Sequence, residues 1–379
     1  MSTYTPGGLL RVALLGNTAG TGYLFARCLR NQGARADLFL ASDEEDAIPP
    51  FAPNVRPPAG SDWVIRWDPS GMGGAGGMFA KRSEKATLRK LAGEYHMVQA
   101  IGATVVAAPS TEKPYVHLAL SGDLRGLGLE DSPNGKAYRK AIQGAATIFY
   151  MQPEQVRILN EISAVKREFL PYPVQVASAR PALRPTNPVL RVFHPARVDW
   201  AEFERERLLK SGDRFYRACA RFTAEGGQLE LVLVDRGRES EATRRIIDKL
   251  GLTHSTTWLP HLDRMELARQ LMEADVIVDD FDAPSLGMIA LESMAAGRPV
   301  LGYVDLAAYE IAYGDQPPIM CARTETELFA SICQACDPAF REQIAAAAHY
   351  WVWTHHREEA VGERLLDMYT NRVLTQGAI

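Results

Sequence analysis

Residues 274–304 read ADVIVDDFDAPSLGMIALESMAAGRPVLGYV and contain one complete unit of a parallel α/β sheet. The apolar, β-branched run Ala274–Asp279 predicts a strand, and Leu286–Ala296 predicts a helix that the Ser285 hydroxyl can cap. A glycine and a proline end this helix before a second apolar strand. Strand, loop, helix and strand in this order indicate an α/β fold with a doubly wound parallel sheet.

The predicted helix offers an anion site at its start and carries one acidic residue further on. Gly287 lies in its first turn, where the missing side chain lets a ligand approach backbone N–H groups at the positive end of the helix dipole. We expect a phosphate there. Glu292 follows about one and a half turns later, and its carboxylate can accept hydrogen bonds from two neighbouring hydroxyls, as a ribose presents. A lone glutamate is more often an exposed helix residue, but loop, glycine, helix and glutamate have the order that a nucleotide diphosphate site requires.

The segment 285–300, S-L-G-M-I-A-L-E-S-M-A-A-G-R-P-V, resembles the donor-binding segment of GT-B glycosyltransferases, particularly the family 4 group of mostly retaining enzymes. That group carries two glutamates in this region. Glu292 matches the second, which binds the nucleotide ribose, whereas the first falls on Pro284, which has no carboxylate, with Asp282 nearby as a substitute. The resemblance therefore assigns donor binding to the following residues of this segment: Asp282, Ser285, Leu286, Gly287 and Glu292.

The same resemblance implies cations that stabilise the departing diphosphate without a metal. GT-B enzymes carry an Arg and a Lys between the first strand and the first helix of the second domain. Arg197 and Lys210 match that pair by type and position, with a longer spacing, and we expect them to act in catalysis as well as in donor binding. Arg suits bidentate phosphate contact and Lys suits point-charge contact. Arg236 occupies the place where the family has a turn near the nucleotide. The alternative for Arg197, Lys210 and Arg236 is that each is an ordinary surface charge.

A glycine-rich loop follows the first apolar run of the chain, as in a Rossmann-like domain. It spans Gly16–Gly22 and precedes a helical stretch. A dinucleotide fingerprint would need a glycine where Thr18 stands, so a nicotinamide site is disfavoured. In GT-B enzymes this loop closes over the donor sugar, which assigns Gly16 and Gly20 to donor binding.

The next apolar runs, Val105–Ala108 and Tyr115–Leu120, predict two further strands. S-G-D-L-R follows the second run, and ligands of open α/β sheets bind beyond the carboxyl ends of strands. The segment resembles the H-G-x-D-L-R turn of some GT-B enzymes, with Asp123 and Arg125 as matches. Asp123 is therefore a candidate catalytic residue that touches the sugar or the acceptor, and an ion pair between Asp123 and Arg125 is the alternative.

The length of 379 residues suits two domains of roughly 180 residues each. With the resemblance, we predict an acceptor-side Rossmann-like domain over 1–180 and a donor-binding Rossmann-like domain over 189–350, facing each other across a cleft. A proline-rich linker at Ala179–Pro188 separates them. The resemblance also implies that a C-terminal helix over 351–379 crosses back to pack on the first domain.

Composition narrows the class of protein further. The formal charge of −4 argues against a surface built entirely for nucleic acid. No apolar run approaches the length of a membrane span, so we expect a cytoplasmic protein without stable membrane insertion. The five cysteines do not form a disulfide framework. Cys333 and Cys336 form a lone C-x-x-C, for which we predict core packing in a helix, and no metal site is predicted.

The sequence thus predicts a glycosyltransferase that moves a hexosyl or pentosyl group from a nucleotide diphosphate sugar to an acceptor hydroxyl. No general base stands out, which favours retention; an inverting enzyme would have His117 or Asp123 as its candidate base. A sugar-nucleotide epimerase or hydrolase and a non-catalytic sugar-nucleotide-binding protein remain alternatives. The acceptor stays open among a glycan, a lipid, a small molecule and a modified nucleic-acid base. The basic stretch Lys81–Lys90 predicts either contact with an anionic acceptor or a solvated helix face.

Overall fold

The computed structural model describes residues 7–41, 62–67, 88–90, 92–183, 187–196, 198 and 212–374 of the chain. The chain divides into two compact units, one of Met1–Pro173 with Glu358–Ile379 and the other of Val174–Arg357. Each unit contains one parallel sheet within the described residues. The predicted fold class, α/β with two Rossmann-like doubly wound domains, is confirmed.

The first unit has a seven-stranded sheet in the order β3-β2-β1-β4-β5-β6-β7. Its strands are β1 (Arg11–Leu15), β2 (Arg35–Ala41), β3 (Val64–Trp67), β4 (Met97–Ile101), β5 (Tyr115–Ala119), β6 (Thr147–Tyr150) and β7 (Arg167–Phe169). The helices between them are α1 (Thr21–Asn31), α2 (Ser121–Arg125), α3 (Pro133–Gln143) and α4 (Gln155–Ile162). Because β1 and β4 lie side by side, the strand order reverses between them and leaves a crevice at their carboxyl ends.

The second unit has a six-stranded sheet in the order β10-β9-β8-β11-β12-β13. Its strands are β8 (Leu190–His194), β9 (Leu229–Val234), β10 (Thr256–Leu259), β11 (Val276–Val278), β12 (Val300–Gly302) and β13 (Met320–Cys321). Its helices are α5 (Asp213–Ala224), α6 (Ser240–Lys249), α7 (Arg264–Glu273), α8 (Met288–Ala295), α9 (Leu306–Tyr313), α10 (Glu325–Gln334) and α11 (Pro338–His356). Here the strand order reverses between β8 and β11.

The C-terminal segment completes the core of the first unit. It forms α12 (Glu358–Met368) and a last turn, Tyr369–Val373. Leu365 and Tyr369 are fully buried in the same cluster as residues of β1 and α1. At Gly362, a Cβ atom would come within 2.8 Å of the Cys28 carbonyl oxygen of α1, so this glycine allows the two helices to approach closely. The predicted return of the C-terminal helix to the first unit is therefore confirmed.

Alternating residues of the strands supply cores on both faces of each sheet. Val12 and Leu14 of β1 belong to one buried cluster of the first unit, whereas Ala13 and Leu15 belong to another. Phe193 and Val192 of β8 divide in the same way in the second unit. Burial on both faces explains why these strands appear in the sequence as continuous apolar runs.

Two local predictions were wrong. Val105–Ala108 is not a strand, because the chain forms the short helical turns Gly102–Val106 and Ala108–Thr111 there, and the strand precedes them as β4. The Thr104 hydroxyl donates to the carbonyl oxygen of Leu15 at 2.8 Å and ties the first turn to β1. The predicted core packing of Cys333 and Cys336 is also wrong, since both are exposed near the end of α10.

The boundary between the units falls at Pro173, ahead of the predicted linker Ala179–Pro188. Described residues of that linker pack on the second unit: Arg298 Nη2 donates to the Ala182 carbonyl oxygen at 2.6 Å. Among the parts of the chain that the structure describes, no helix combines the length and apolarity needed to cross a bilayer.

Candidate functional site

The loop after β11 leads into α8 at the point where the strand order of the second sheet reverses. The helix begins with Gly287 at its N-cap, whose backbone is extended, so the prediction that Ser285 caps it was wrong. Asp279 at the end of β11 supplies the missing acceptor. Its Oδ2 accepts a hydrogen bond from the Gly287 backbone N–H at 2.8 Å. A carboxylate at this place also interacts favourably with the helix dipole.

The packing around Gly287 leaves no room for a side chain. A Cβ atom there would lie 2.8 Å and 2.9 Å from the two carboxylate oxygens of Asp279, which is buried. The neighbouring Leu286 N–H donates to the Tyr309 hydroxyl of α9 at 2.8 Å. Two of the backbone amides predicted to bind a phosphate are therefore bonded within the protein. An incoming diphosphate would meet the Asp279 carboxylate at the Gly287 amide.

Glu292 lies further along α8 and is held by an arginine from α7. Arg264 Nη1 donates to Glu292 Oε2 at 2.6 Å, and Arg264 Nη2 lies 2.6 Å from Glu292 Oε1, so both terminal nitrogens of the guanidinium face the carboxylate. Arg264 is the first residue of α7, which the Asp263 side chain caps by accepting from the Glu266 N–H at 2.8 Å. The Glu292 side chain keeps 15% of its exposure. The carboxylate is thus fixed in orientation but remains accessible.

Asp282, the substitute for the family's first glutamate, is also paired. Arg214 Nη2 at the start of α5 lies 2.5 Å from Asp282 Oδ1, with both side chains about one third exposed. The Asp282 N–H donates to Asp280 Oδ1 at 2.9 Å, which turns the loop. Pro284 contributes its carbonyl oxygen to the Asp305 N–H at 3.1 Å. The loop therefore carries acidic groups at Asp280 and Asp282, but none at the position of that glutamate.

The predicted phosphate cations lie in connections that leave the carboxyl ends of β8 and β9. Arg197 and Lys210 fall outside the described residues. Arg236 is exposed directly after β9. Its carbonyl oxygen accepts from the Val198 N–H at 2.8 Å, so Val198 lies next to Arg236. Gly237 is required there, because its φ is +123° and a Cβ atom would lie 2.6 Å from the Val198 carbonyl oxygen.

In the first unit, the glycine-rich loop folds tightly at the carboxyl end of β1. Gly16 and Gly20 adopt positive φ angles of 89° and 77°. Asn17 Oδ1 accepts from the Tyr23 N–H at 2.8 Å, and so occupies an amide at the start of α1. A Cβ atom on Gly22 would come within 2.1 Å of the Gly16 carbonyl oxygen. The loop closes on itself at the reversal of strand order, where Gly16 and Gly20 are predicted to bind the donor.

Asp123 lies on α2, directly after β5. The alternative that it pairs with Arg125 is wrong, because Arg125 lies 3.6 Å from Glu154 instead. The Asp123 carboxylate makes no hydrogen bond or ion pair with any residue that the structure describes. It packs against Gly102 after β4, where a Cβ atom would lie 2.3 Å from Asp123 Oδ2. Burial raises the pKa of Asp123 to about 6, which suits a group that exchanges protons near neutral pH.

His117, the other candidate base, does not have these properties. It is fully buried within β5, and its Nε2 lies 2.9 Å from the Tyr138 hydroxyl. Desolvation lowers the pKa of His117 to about 3. A neutral ring enclosed by the core has no access to a substrate, so the candidacy of His117 was wrong.

Sequence reasoning missed three side chains that surround the second-unit residues: Asp279, Arg264 and Tyr309. Each of them contacts a predicted site residue but lies on a different element, so no local sequence motif includes it. The sequence held one signal for Arg264. Asp263 is a typical N-cap residue, and it places Arg264 at the start of α7, beyond the carboxyl end of β10. Within the basic stretch Lys81–Lys90, residues 81–87 fall outside the described residues, so its prediction stays open.

The comparisons with known proteins address the same region. Residues 205–312 match the sequence model of the family described as glycosyl transferases group 1. This range contains β9 to β11, α8 and the Asp279–Gly287 loop. The chain has the GT-B fold, and part of its second unit is similar to glycosyl transferases group 1.

Solved structures share the fold across nearly the whole chain. The chain is similar to Anabaena HepE in complex with UDP and glucose, with 14% identity, a TM-score of 0.67, and 95% of this chain and 99% of that chain covered. For sucrose-phosphate synthase of Thermosynechococcus elongatus the identity is 16% and the TM-score 0.64, with 97% and 100% covered. A proposed UDP-N-acetylglucosamine 2-epimerase of Listeria monocytogenes has 13% identity and a TM-score of 0.59, with 95% and 96% covered.

No curated protein matches the chain in sequence. The similarity to glycosyl transferases group 1 covers residues 205–312, and the solved structures share the fold of nearly the whole chain. Among the described candidates, Gly16, Asp123 and the loop Asp279–Gly287 follow the carboxyl ends of strands, where α/β enzymes bind ligands.

Proposed function

We propose that the protein transfers a hexosyl or pentosyl group from a nucleotide diphosphate sugar to an acceptor hydroxyl, with retention and without a metal. The observation that carries the proposal is Glu292, held by one hydrogen bond and a second close contact from Arg264 inside the segment that matches group 1 glycosyltransferases. A fixed and accessible carboxylate beside a reversal of strand order is suited to bind the ribose hydroxyls of a nucleotide.

The departing diphosphate needs positive charge near its β-phosphate. The Gly287 amide is a poor source, because the Asp279 carboxylate already occupies it at 2.8 Å. Charge stabilisation then rests on side chains, for which Arg197, Lys210 and Arg236 are the proposed donors. If they supply this charge, transfer continues in excess EDTA, and loss of transfer that Mg²⁺ or Mn²⁺ restores would contradict the metal-free proposal.

Retention requires no protein base, because the leaving phosphate oxygen can take the acceptor's proton on the same face of the sugar. Asp123 would then contact the acceptor or the sugar without accepting that proton. The anomeric configuration of the product, measured by NMR before mutarotation, tests this. Two results together would assign the base role to Asp123 instead. The product would be inverted, and the activity would rise through about pH 6 in wild type but be absent in Asp123→Asn.

The donor is identified by thermal stabilisation with UDP, GDP, ADP and dTDP sugars, with NAD and NADP alongside. Glu292→Ala is compared with the control Glu266→Ala, which removes a more exposed carboxylate that pairs with Arg269. We expect one class of sugar nucleotide to raise Tm in wild type and in the control but not in Glu292→Ala. Stabilisation by NAD alone, or an unaffected Glu292→Ala, would refute the donor site.

A second candidate is a sugar-nucleotide epimerase or hydrolase on the same fold. Pro284 favours this alternative, because it leaves the position of the family's first glutamate without a carboxylate. The similar structure from Listeria monocytogenes, a proposed epimerase, has the same fold. Incubation with the donor alone separates the two activities: an epimerase or hydrolase converts the donor without an acceptor, whereas a transferase requires one. Tight donor binding with no conversion under any acceptor would indicate a sugar-nucleotide-binding protein.

The acceptor is sought among glycans, lipids, small molecules and modified nucleic-acid bases. A nucleic-acid acceptor predicts binding that weakens steeply as salt rises, because Lys81–Lys90 would replace counterions on the phosphate backbone. Binding that is independent of salt would exclude this class.

A further inference from the structure

The pair between Arg264 and Glu292 differs from the ion pairs formed within α7. Arg269, on the same helix, pairs with Glu266 and with Glu273, and all three side chains are at least one third exposed. Arg264 and Glu292 are only 26% and 15% exposed, and they join two helices rather than successive turns of one. Exposed pairs within one helix contribute little to stability, whereas a sheltered guanidinium that faces both oxygens restricts the plane of the carboxylate.

The pair leaves part of the carboxylate free for a ligand. A carboxylate has about four lone-pair positions on its two oxygens, and Arg264 meets each oxygen once, with a hydrogen bond at Oε2 and a 2.6 Å ion-pair contact at Oε1. The Glu292 carboxylate makes no further hydrogen bond with residues in the described parts of the chain. Each oxygen therefore keeps one acceptor position, and the guanidinium holds the two positions side by side. Two adjacent hydroxyl donors match this arrangement, and a single hydroxyl leaves one position unused.

We infer that Arg264 is a positioning residue that makes the site select ribonucleotides over 2′-deoxyribonucleotides. The inference rests on the proposed function and deepens it, because it names the class of donor and the residue that sets the choice. Arg264 itself does not touch the nucleotide. It orients Glu292 so that the 2′ and 3′ hydroxyls each donate to one oxygen. Without the fork, the carboxylate rotates and satisfies a single hydroxyl equally well.

The test compares UDP, GDP and ADP with their 2′-deoxy forms by calorimetric titration of the full chain. We expect wild type to bind its preferred nucleotide about 10- to 100-fold more tightly than the deoxy form, as the loss of one hydrogen bond to a charged group predicts. Arg264→Lys keeps the charge but loses the planar fork. We expect its preference to fall below about threefold, chiefly through weaker binding of the ribonucleotide.

The matched control is Arg269→Lys, which alters an exposed pair on the same helix and should keep the wild-type preference. Arg264→Met removes the charge as well, and its circular dichroism and Tm report whether the fold survives. A merely structural role of Arg264 would weaken both nucleotides equally in Arg264→Lys, and an unchanged preference there would overturn the inference while the donor site stands. If wild type binds none of these nucleotides but is stabilised by a dTDP sugar, the inference fails and the proposed function stands; if it binds no sugar nucleotide at all, both fail.

Discussion

At the scale of single residues, Asp123 shows how surroundings give a common side chain an unusual chemistry. It follows a buried strand, packs against Gly102 and has no cationic partner among the described residues. Burial therefore raises its pKa to about 6, and no ion pair opposes the effect. His117, two residues before the end of the same strand, is a stronger base in water but is neutral and enclosed here.

The raised pKa of Asp123 predicts a pH-dependent gain in stability for Asp123→Asn. A carboxyl whose folded pKa exceeds its unfolded value binds more protons when folded, so its stability contribution is present at low pH and lost as pH rises through about 6. The neutral amide of Asn does not titrate, so the variant does not lose this stability as pH rises. We expect the free energy of unfolding of the variant, relative to wild type, to increase by about 1–3 kcal/mol between about pH 4 and about pH 7.5, measured by urea denaturation.

Glu130→Gln is the control for this measurement, because Glu130 is exposed shortly after the same helix. Its difference from wild type should stay nearly constant with pH. A constant difference for Asp123→Asn as well would mean that Asp123 is hydrated, and its assignment as a proton-exchanging group would fall.

At the scale of elements, the start of α8 depends on the contact between Gly287 and Asp279. Gly287→Ala keeps an extended backbone that any residue adopts, so its effect must come from the contact of the new Cβ with the carboxylate, 2.8 Å away. We expect a loss of about 1–3 kcal/mol in the free energy of unfolding, as for other overpacked sites. Because the displaced carboxylate caps α8, amide hydrogen exchange should accelerate first in that helix.

Gly122→Ala serves as the control, since a Cβ atom there meets nothing within 4 Å. A double-mutant cycle with Asp279→Ala measures the coupling directly. If Gly287→Ala is equally destabilising with and without Asp279, the steric account is wrong and another contact limits residue 287.

The elements around α8 also show how far the sequence alone could lead. The strand, the helix and the position of Glu292 followed from apolar runs, glycine and proline signals and the family resemblance. The residue that caps α8 did not follow from the sequence. Asp279 reaches the helix from the end of the preceding strand, whereas Ser285 stands at the place where a local pattern puts a cap. Val105–Ala108 was assigned to a strand for a similar reason: a short apolar run does not reveal that the Thr104 hydroxyl binds β1.

At the scale of the whole molecule, the chain returns to its first unit after completing the second. The alternation of strands and helices, together with the chain length, predicted two Rossmann-like domains, and the resemblance implied the returning helix. The anchoring contacts could not be read from the sequence, because they join residues at opposite ends of the chain. Arg27 Nε donates to Glu358 Oε2 at 2.9 Å, and the Tyr369 hydroxyl donates to Gln99 Oε1 of β4.

This topology predicts that loss of the C-terminal segment unfolds the first unit while sparing the second. Deletion after Arg357 exposes the core contacts of Val361, Leu365, Met368 and Tyr369, which are all buried in the first unit. At about 1.5–3 kcal/mol for each buried side chain, the loss is comparable to the whole stability of a typical domain. Amide hydrogen exchange should lose protection across β1 to β7 and retain it in β8 to β13.

A milder pair of variants tests the same dependence in a chain that still folds. Leu365→Ala removes a fully buried side chain and should cost about 2–5 kcal/mol in the free energy of unfolding of the first unit. Glu363→Ala, on the exposed side of the same helix, should change it by less than about 0.5 kcal/mol. Uniform loss of protection over both sheets in Leu365→Ala would show that the two units unfold together. Unchanged protection would show that the C-terminal helix does not support the first core.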